Sequence, residues 1–408
     1  MVESLKSKRI LIYSHDTFGL GHLRRCRTIA HSLVERFKGL TVLILSGSPI
    51  IGNYDFRARV DFIRIPGVIK LYNGDYTSLG LHIDLKDTLS IRESIIRHTA
   101  RTFSPDLLLV DKEPLGLKGE LADTLEMLKS ADTRLVLGLR DVMDEPMLLK
   151  KEWSNGHAVA AMEDLYDEIW VYGLEEFVDP LESMSLSPTI RNKMRYTGYL
   201  PRSLPKETDL PKSLDIREPY MLVTAGGGGD GVSMIDWVVR AYEHDDTLPL
   251  DALVVLGPFM PHEERDDFIE RSKRLDRVNV ITFDSRLEVL MANSSCVVSM
   301  GGYNTFCEIL SYDKPALVIP RTEPRKEQLV RALRAQQLGL LEVLVPDGEL
   351  ETGTMVEALK RLPHQAKPSA ALKPGMLGGL DYIGTMARRI LGDGIEAEEL
   401  KLADVSQV

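Results

Sequence analysis

Cys296-Val297-Val298-Ser299-Met300 runs directly into Gly301-Gly302-Tyr303-Asn304-Thr305-Phe306-Cys307-Glu308, and the rest of the chain can be understood from how that junction is built. The apolar run is short and bounded by glycine, which reads as a buried strand. The two glycines break it, and the residues after them open a helix. A second strand, Ala316–Pro320, comes next, and after a short charged loop Glu327-Gln328 opens another helix. A strand ending in two glycines ahead of a helix presents backbone N–H groups at the carboxyl edge of a parallel sheet. Such an edge suits an anion, phosphate above all. Glu308 lies about one turn inside that helix, within reach of a ligand hydroxyl. The competing reading is a plain strand–turn–helix junction with Asn304 and Thr305 as helix caps.

Working outward, short apolar runs alternate with segments of helical period, the pattern of parallel α/β layers. Upstream, the predicted strands are 9–14, 41–46, 60–65, 106–110, 135–139, 168–172 and 193–197, with helices clearest at 21–37, 85–102 and 117–129. Residues 66–84, rich in Gly, Tyr, Asn and Asp, read as one long loop, and loops of that length are usually functional or mobile. Three prolines between Pro201 and Pro211 mark a linker, placed at 201–218. Alternation then restarts with strands at 220–224, 252–256 and 278–282. The expected organisation is an N-terminal Rossmann-like domain (1–200) and a C-terminal one (219–375). After them come a helix within 376–393 that crosses back to the first domain and a disordered tail, 394–408.

The chain has 408 residues, enough for two cores of about 150–200 residues each. A net charge of -11 argues against nucleic acid as the main partner. Three scattered cysteines, Cys26, Cys296 and Cys307, suit neither a disulfide framework nor a zinc cage and fit reduced thiols in a cytoplasm. The first apolar run, Ile10–Tyr13, is too short for a signal peptide, and no run approaches the ~18 apolar residues of a spanning helix. A cytoplasmic protein is expected, with peripheral contact at the inner membrane face left open.

Three groups of residues can carry chemistry. Gly19 and Gly21 let the chain turn after the first strand and set His22 at the mouth of a helix. There a neutral imidazole can take a proton near neutral pH, or simply line the helix start. From His22 to Lys38 there are five Lys/Arg against one Glu, which suits an anionic substrate or lipid surface, or a solvated helix face. Asp111 ends an apolar strand and can orient His22, or cap the next segment of chain. Glu113 is a weaker candidate for the same role. The third group is Gly226, Gly227, Gly228, Gly229, Asp230 and Gly231. They contain G-x-G-x-x-G, yet the next strand ends in Gly257-Pro258 without the acid that a nicotinamide dinucleotide site needs. No Gly-Lys-Ser/Thr comes after them either. The cluster therefore reads as an N–H cradle for a diphosphate. The chain holds no His-Glu-x-x-His, Cys-x-x-Cys or Asp-x-Asp. Backbone dipoles, with Arg202, are expected to meet the charge of a leaving diphosphate without a metal ion.

With these motifs in this order, the chain resembles the GT-B nucleotide-sugar glycosyltransferases. It is most similar to glycosyltransferase family 28, the group of the UDP-N-acetylglucosamine transferase of peptidoglycan lipid assembly. The resemblance implies two Rossmann-like parallel-sheet domains facing across a cleft. It implies that Gly301, Gly302, Asn304 and Thr305 hold the nucleotide, that Glu308 holds the ribose and that Gln328, with Glu327, holds the donor sugar. It further implies that Gly226–Gly229 meet the diphosphate and that the segment at Phe283 faces the base. The acceptor side falls to Gly19, Gly21, Arg24 and Arg25, with His22 as base and Asp111 behind it. The implied reaction is an inverting, metal-independent transfer of a hexose or N-acetylhexosamine from a nucleotide diphosphate sugar, with UDP expected. The acceptor would be a glycan, lipid-linked or small-molecule hydroxyl in bacterial glycan or glycolipid synthesis. No cofactor beyond the donor substrate is implied. Two departures stand out: the first loop has fewer glycines than is common, and Asp230 stands near a position where the family often has serine. The opening Gly19–Cys26 also resembles the nucleotide-sugar hydrolases of nonulosonic acid synthesis, which are shorter chains that hand the sugar to water. UDP-sugar 2-epimerases share the architecture, but no extra acidic constellation supports one. A non-catalytic nucleotide-sugar-binding protein would use the same pocket.

Overall fold

The computed structural model describes residues 8–15, 21–70, 75–143, 147, 149, 150, 153, 156–204, 210 and 216–392. The first lobe is built on the strands β1 (Lys8–Ser14), β2 (Leu40–Ser46), β3 (Val60–Arg64), β6 (Leu107–Asp111), β7 (Arg134–Arg140), β8 (Glu168–Tyr172) and β9 (Met194–Tyr196). They pair in the order β3-β2-β1-β6-β7-β8-β9, and every pairing is parallel. Runs such as Leu107-Leu108-Leu109-Val110 are buried along their whole length because helices cover both faces of the sheet. Among these helices, α1 (Gly21–Arg36), α2 (Leu85–Phe103) and α3 (Ala122–Ser130) match the sequence expectation in place. The third starts later than expected, because residues 117–119 form a separate 3₁₀ turn in which Lys118 takes a positive φ.

The expected long loop at 66–84 is corrected by the structure. It contains a small antiparallel hairpin, β4 (Val68–Lys70) with β5 (Tyr76–Ser78). Pairing satisfies backbone groups that an irregular loop would leave to water.

The second lobe has β10 (Tyr220–Thr224), β11 (Asp251–Val255), β12 (Val278–Ile281), β13 (Cys296–Ser299), β14 (Ala316–Val318) and β15 (Glu342–Val343), in the order β12-β11-β10-β13-β14-β15. Its pairings are also all parallel. Both sheets reverse direction once, between β1 and β6 in the first and between β10 and β13 in the second. At such a switch point the loops leave in opposite directions and open a crevice at the strands' carboxyl ends. The helices that matter for the site are α9 (Tyr303–Ser311) and α10 (Glu327–Gln337), numbered after α4 (His157–Asp164), α5 (Pro188–Lys193), α6 (Val232–His244), α7 (His262–Ser272) and α8 (Leu287–Asn293).

An aromatic seam joins the lobes below the cleft: Tyr199 packs against Phe177, Phe306 and Tyr303 at ring distances of 5.5, 5.1 and 6.0 Å. After α11 (Thr352–Arg361) the chain returns to the first lobe in α12 (Gly379–Leu391). Gly379 permits this, because a Cβ there would stand 2.6 Å from the carbonyl oxygens of Gly198 and Tyr199. Arg36 pairs with Asp381, Arg389 pairs with Glu168, and the Arg388 guanidinium lies over Phe37. All three cysteines are buried free thiols. The stretch 394–408 lies outside the described residues, as does most of 201–218.

Candidate active site

The first lobe's crevice is built from charged side chains. Helix α1 buries Leu23, Cys26, Ile29, Ala30, Leu33 and Val34, an i, i+3, i+4, i+7 stripe that seats it on the sheet. The same seating places His22 and Arg25 over the end of β6. His22 Nδ1 meets Asp111 Oδ2 in a short contact. Arg25 donates to the same carboxylate from Nε at 2.9 Å and from Nη2 at 2.6 and 2.8 Å. With its Nδ1 hydrogen directed at Asp111, the ring keeps Nε2 as its acceptor, a tautomer inferred from the network. Burial pushes the His22 imidazole below its ordinary value, against the pull of Asp111. Burial also works to raise Asp111, but Arg25 and His22 hold it well below the usual carboxylate range. A neutral imidazole therefore sits on an ionised carboxylate at neutral pH.

A second histidine escaped the sequence reading. His15 comes directly after β1, is buried, and stands edge-on to His22 at 5.7 Å. Its Nδ1 has no hydrogen-bond partner among the described residues, and burial drives its proton affinity far down. Its place directly after a strand end was the available signal.

The arginines of α1 have partners within the chain, some in the crevice and some at the surface. Arg24 pairs with Glu308 and, at 3.1 Å, with Glu288. Arg25 belongs to Asp111 and Arg36 to Asp381, while Arg27 donates to the Asp55 carbonyl at 2.9 Å. These arginines are spent on internal partners.

The second lobe's crevice is built from main chain. Gly226 and Gly228 adopt φ of 66° and 91°, and a Cβ on Gly228 would lie 2.5 Å from the Leu256 carbonyl oxygen. Only glycine fits there. The Gly227 carbonyl accepts from Phe259 N–H at 2.9 Å. The N–H groups of Gly227 and Gly229 have no partner among the described residues. One strand over, Gly301 has φ of 70°, with Val318 where its Cβ would be. Helix α9 begins behind Gly302 with no side-chain cap, leaving its first-turn N–H groups open. The capping alternative for Asn304 and Thr305 is thus excluded, since both lie inside the helix. The Asn304 amide instead donates to the Gly21 carbonyl at 2.9 Å, across the cleft.

Glu308, a turn and a half into α9, is fully buried. One oxygen meets Arg24, and the other has no partner among the described residues. Burial pushes its carboxyl up, with Arg24 pulling against it. Glu327, at the start of α10, is buried with Oε1 on Arg321 at 2.6 Å, and its Oε2 is likewise unpartnered among the described residues. Burial would raise it, but Arg321, Arg140 and Arg331 hold it low. The Gln328 Oε1 accepts from the Arg321 backbone N–H at 3.0 Å. Asp230, the awkward acid of the glycine turn, pairs with Arg321.

Arg202 donates to Asn304 Oδ1 at 2.8 Å and to the Leu200 carbonyl at 2.9 Å, and its Nε lies 3.9 Å from Glu308 Oε1, so it stands beside two of the expected nucleotide residues. Phe283 is half-buried after β12, two strands from β10, and no described hydrogen bond or ring contact ties it to the rest. Gly19 lies outside the described residues. A buried ion pair absent from the sequence reading crosses between the lobes: Arg331 of α10 clamps Asp141, beyond β7, at 2.7 and 2.8 Å. Tyr199 Oη adds a third contact to Asp141 at 2.9 Å. Asp141 stands just past a strand end, as Asp111 ends one, and the same rule would have flagged it.

Residues 223–374 match the glycosyltransferase family 28 C-terminal domain. The two sheets, each with its switch point facing the other lobe, have the architecture of known glycosyltransferases. This is a GT-B fold whose later lobe resembles family 28. The calicheamicin glycosyltransferase CalG4 superposes with a TM-score of 0.60 at 16% identity, covering 95% of this chain and 99% of that one. The Medicago truncatula UGT71G1, solved with UDP-glucose, gives 0.61 at 14% identity, covering 96% and 100%. SnogD from Streptomyces nogalater gives 0.57 at 17% identity, covering 94% and 96%. No curated protein matches by sequence. The domain match and the GT-B fold together support a glycosyltransferase with a nucleotide-sugar donor. No helix among the described residues is long and apolar enough to cross a membrane.

Proposed function

We propose that the protein is an inverting glycosyltransferase that moves a hexose or N-acetylhexosamine from a nucleotide diphosphate sugar, with UDP the expected nucleotide, to an acceptor hydroxyl in bacterial glycan or glycolipid synthesis. His22 Nε2 takes the acceptor proton while Asp111 stabilises the imidazolium that forms. The acceptor oxygen bonds to the anomeric carbon from the side opposite the diphosphate, which leaves with the electron pair of the broken C–O bond. Main-chain N–H groups of the glycine turns and the open end of α9 receive that charge, without a metal ion. Glu308 takes the ribose, and Glu327 and Gln328 take the sugar hydroxyls. Each of these two acids carries a buried oxygen lacking a donor among the described residues, which a ligand hydroxyl would satisfy.

The observation that carries this reading is the abutment of the two crevices. The Asn304 amide donates to the Gly21 carbonyl at 2.9 Å, which sets the His22–Asp111 pair against the uncapped start of α9. The test is a thermal-shift panel of UDP, dTDP and GDP, then incubation with matching nucleotide sugars without acceptor. Stabilisation by one nucleotide with slow sugar release is expected. Rapid release of free sugar would make the protein a hydrolase. Binding with neither transfer nor hydrolysis would make it a sensor.

A further inference from the structure

Arg321 occupies a place that none of the donor-site roles above uses. It lies beyond β14, and the ends of β10, β13 and β14 stand side by side at the second lobe's crevice. From the third of these strand ends its guanidinium pairs with Asp230 on the glycine turn of the first. Its other nitrogen holds Glu327 at 2.6 Å, and its backbone N–H holds Gln328 at 3.0 Å. One side chain therefore spans the expected diphosphate cradle and the expected sugar pocket. Arg202 is engaged elsewhere, with Asn304, the Leu200 carbonyl and Glu308. The two ends of the Arg321 bridge also differ. Asp230 is 51% exposed, whereas Arg321 is only 17% exposed and Glu327 8%.

Resting on the donor-site reading above, we propose that Arg321 is the catalytic cation for the leaving diphosphate and that Asp230 is its placeholder. In the empty site the Asp230 carboxylate holds the guanidinium across the cradle. When donor enters, phosphate oxygens replace that carboxylate. As the anomeric C–O bond breaks, its electron pair stays on the phosphate oxygen facing Arg321, and the acceptor proton goes to His22. This accounts for an acid beside an anion site: it is an exchangeable counter-ion that keeps an arginine aimed.

The two partners make opposite predictions. Nucleotide affinity is measured by calorimetry with UDP, dTDP and GDP, each against its monophosphate. Asp230→Asn removes the competitor and should tighten diphosphate binding severalfold while leaving the monophosphate unchanged. Arg321→Met should abolish the preference for diphosphate over monophosphate and lower kcat on the order of 10²-fold, the usual cost of losing one charge-stabilising donor. Arg321→Lys, which keeps the charge, should recover part of both, and thermal melts verify that each variant is folded. If Asp230→Asn weakens diphosphate binding, or a folded Arg321→Met keeps the wild-type preference, the assignment is overturned. If the wild-type protein binds none of the three diphosphates, the donor-site reading falls and this inference with it.

Discussion

The two switch points do similar positional work with opposite materials. In the first lobe, between β1 and β6, the site consists of side chains: His22, Asp111, Arg25 and His15, mutually paired or buried. In the second, between β10 and β13, it is largely glycine main chain and a helix end, with acids set deeper. The difference comes from the task of each. A proton acceptor must hold one tautomer in one orientation, so it needs a charged partner, and that partner needs its own counter-charge when buried. An anion cradle needs many donors converging at close range, and a Cβ on Gly228 or Gly301 would meet the Leu256 carbonyl or the Val318 side chain and force the turn apart. The first crevice is therefore vulnerable to loss of charge, the second to gain of a methyl group.

Substituting the base should break that symmetry hardest. His22→Ala is expected to lower kcat by about 10²–10⁴-fold while nucleotide affinity, measured by calorimetry, stays near that of the wild type. An unchanged turnover would remove His22 from the chemistry. Next in size is the clamp between lobes. Asp141→Asn leaves Arg331 buried without its counter-charge and should cost about 3–5 kcal/mol, read as a shift of the denaturant midpoint. Replacing both residues by apolar ones should recover much of that loss. The methyl-group arm of the comparison is Gly228→Ala, where positive φ and contact with the Leu256 carbonyl should cost about 1–3 kcal/mol. Its signature is the converse of the histidine variant, a weakened nucleotide affinity with the His22 pH profile intact.

The pH profile sharpens the comparison further. His22 faces Asp111, Arg25, His15 and, more distantly, Arg140, and its net shift is downward. Because the folded value lies below the unfolded one of about 6.5, the imidazole is already neutral at pH 7. The acid limb of kcat/KM should therefore fall below about pH 6.5, and a midpoint above 7 would contradict the geometry. The same sign governs stability. His15 and His22 bind protons more weakly when folded, so as pH falls below about 6.5 the unfolded chain gains protons first and stability declines. Thermal melts at pH 7 and pH 5 measure this. The smallest effect belongs outside both crevices. Arg36→Ala breaks the pair with a largely exposed Asp381, and such surface pairs contribute about 0–1 kcal/mol.

Much of this architecture was legible residue by residue. The strands at Glu168–Tyr172 and Tyr220–Thr224 have the bounds that the apolar pattern predicts, and the helix Gly379–Leu391 lies within the stretch 376–393 expected to carry it. Strands buried on both faces leave a continuous hydrophobic run, and the last helix leaves a periodic one. The hairpin within 66–84 was not legible, because short strands rich in turn residues leave no period. The pairing of Asp111 with His22 and Arg25 was half legible. A strand-end acid and a helix-start histidine announce themselves, but the arginine looked like part of a basic helix face.

Local chemistry along the chain is enough to specify two parallel α/β layers, the glycine turns that end their strands, and which titratable residues stand at strand ends and helix starts. These are local matters, set by hydrophobic period, by backbone sterics at glycine and by chain order. Which of those residues meet depends on the packing of the folded chain. Arg24 holds Glu308 284 positions away, Arg331 holds Asp141 across 190, and Arg321 turns to Asp230 across 91. Ion pairing depends on distance in space, and α10 meets the first lobe only through the docking of the two sheets.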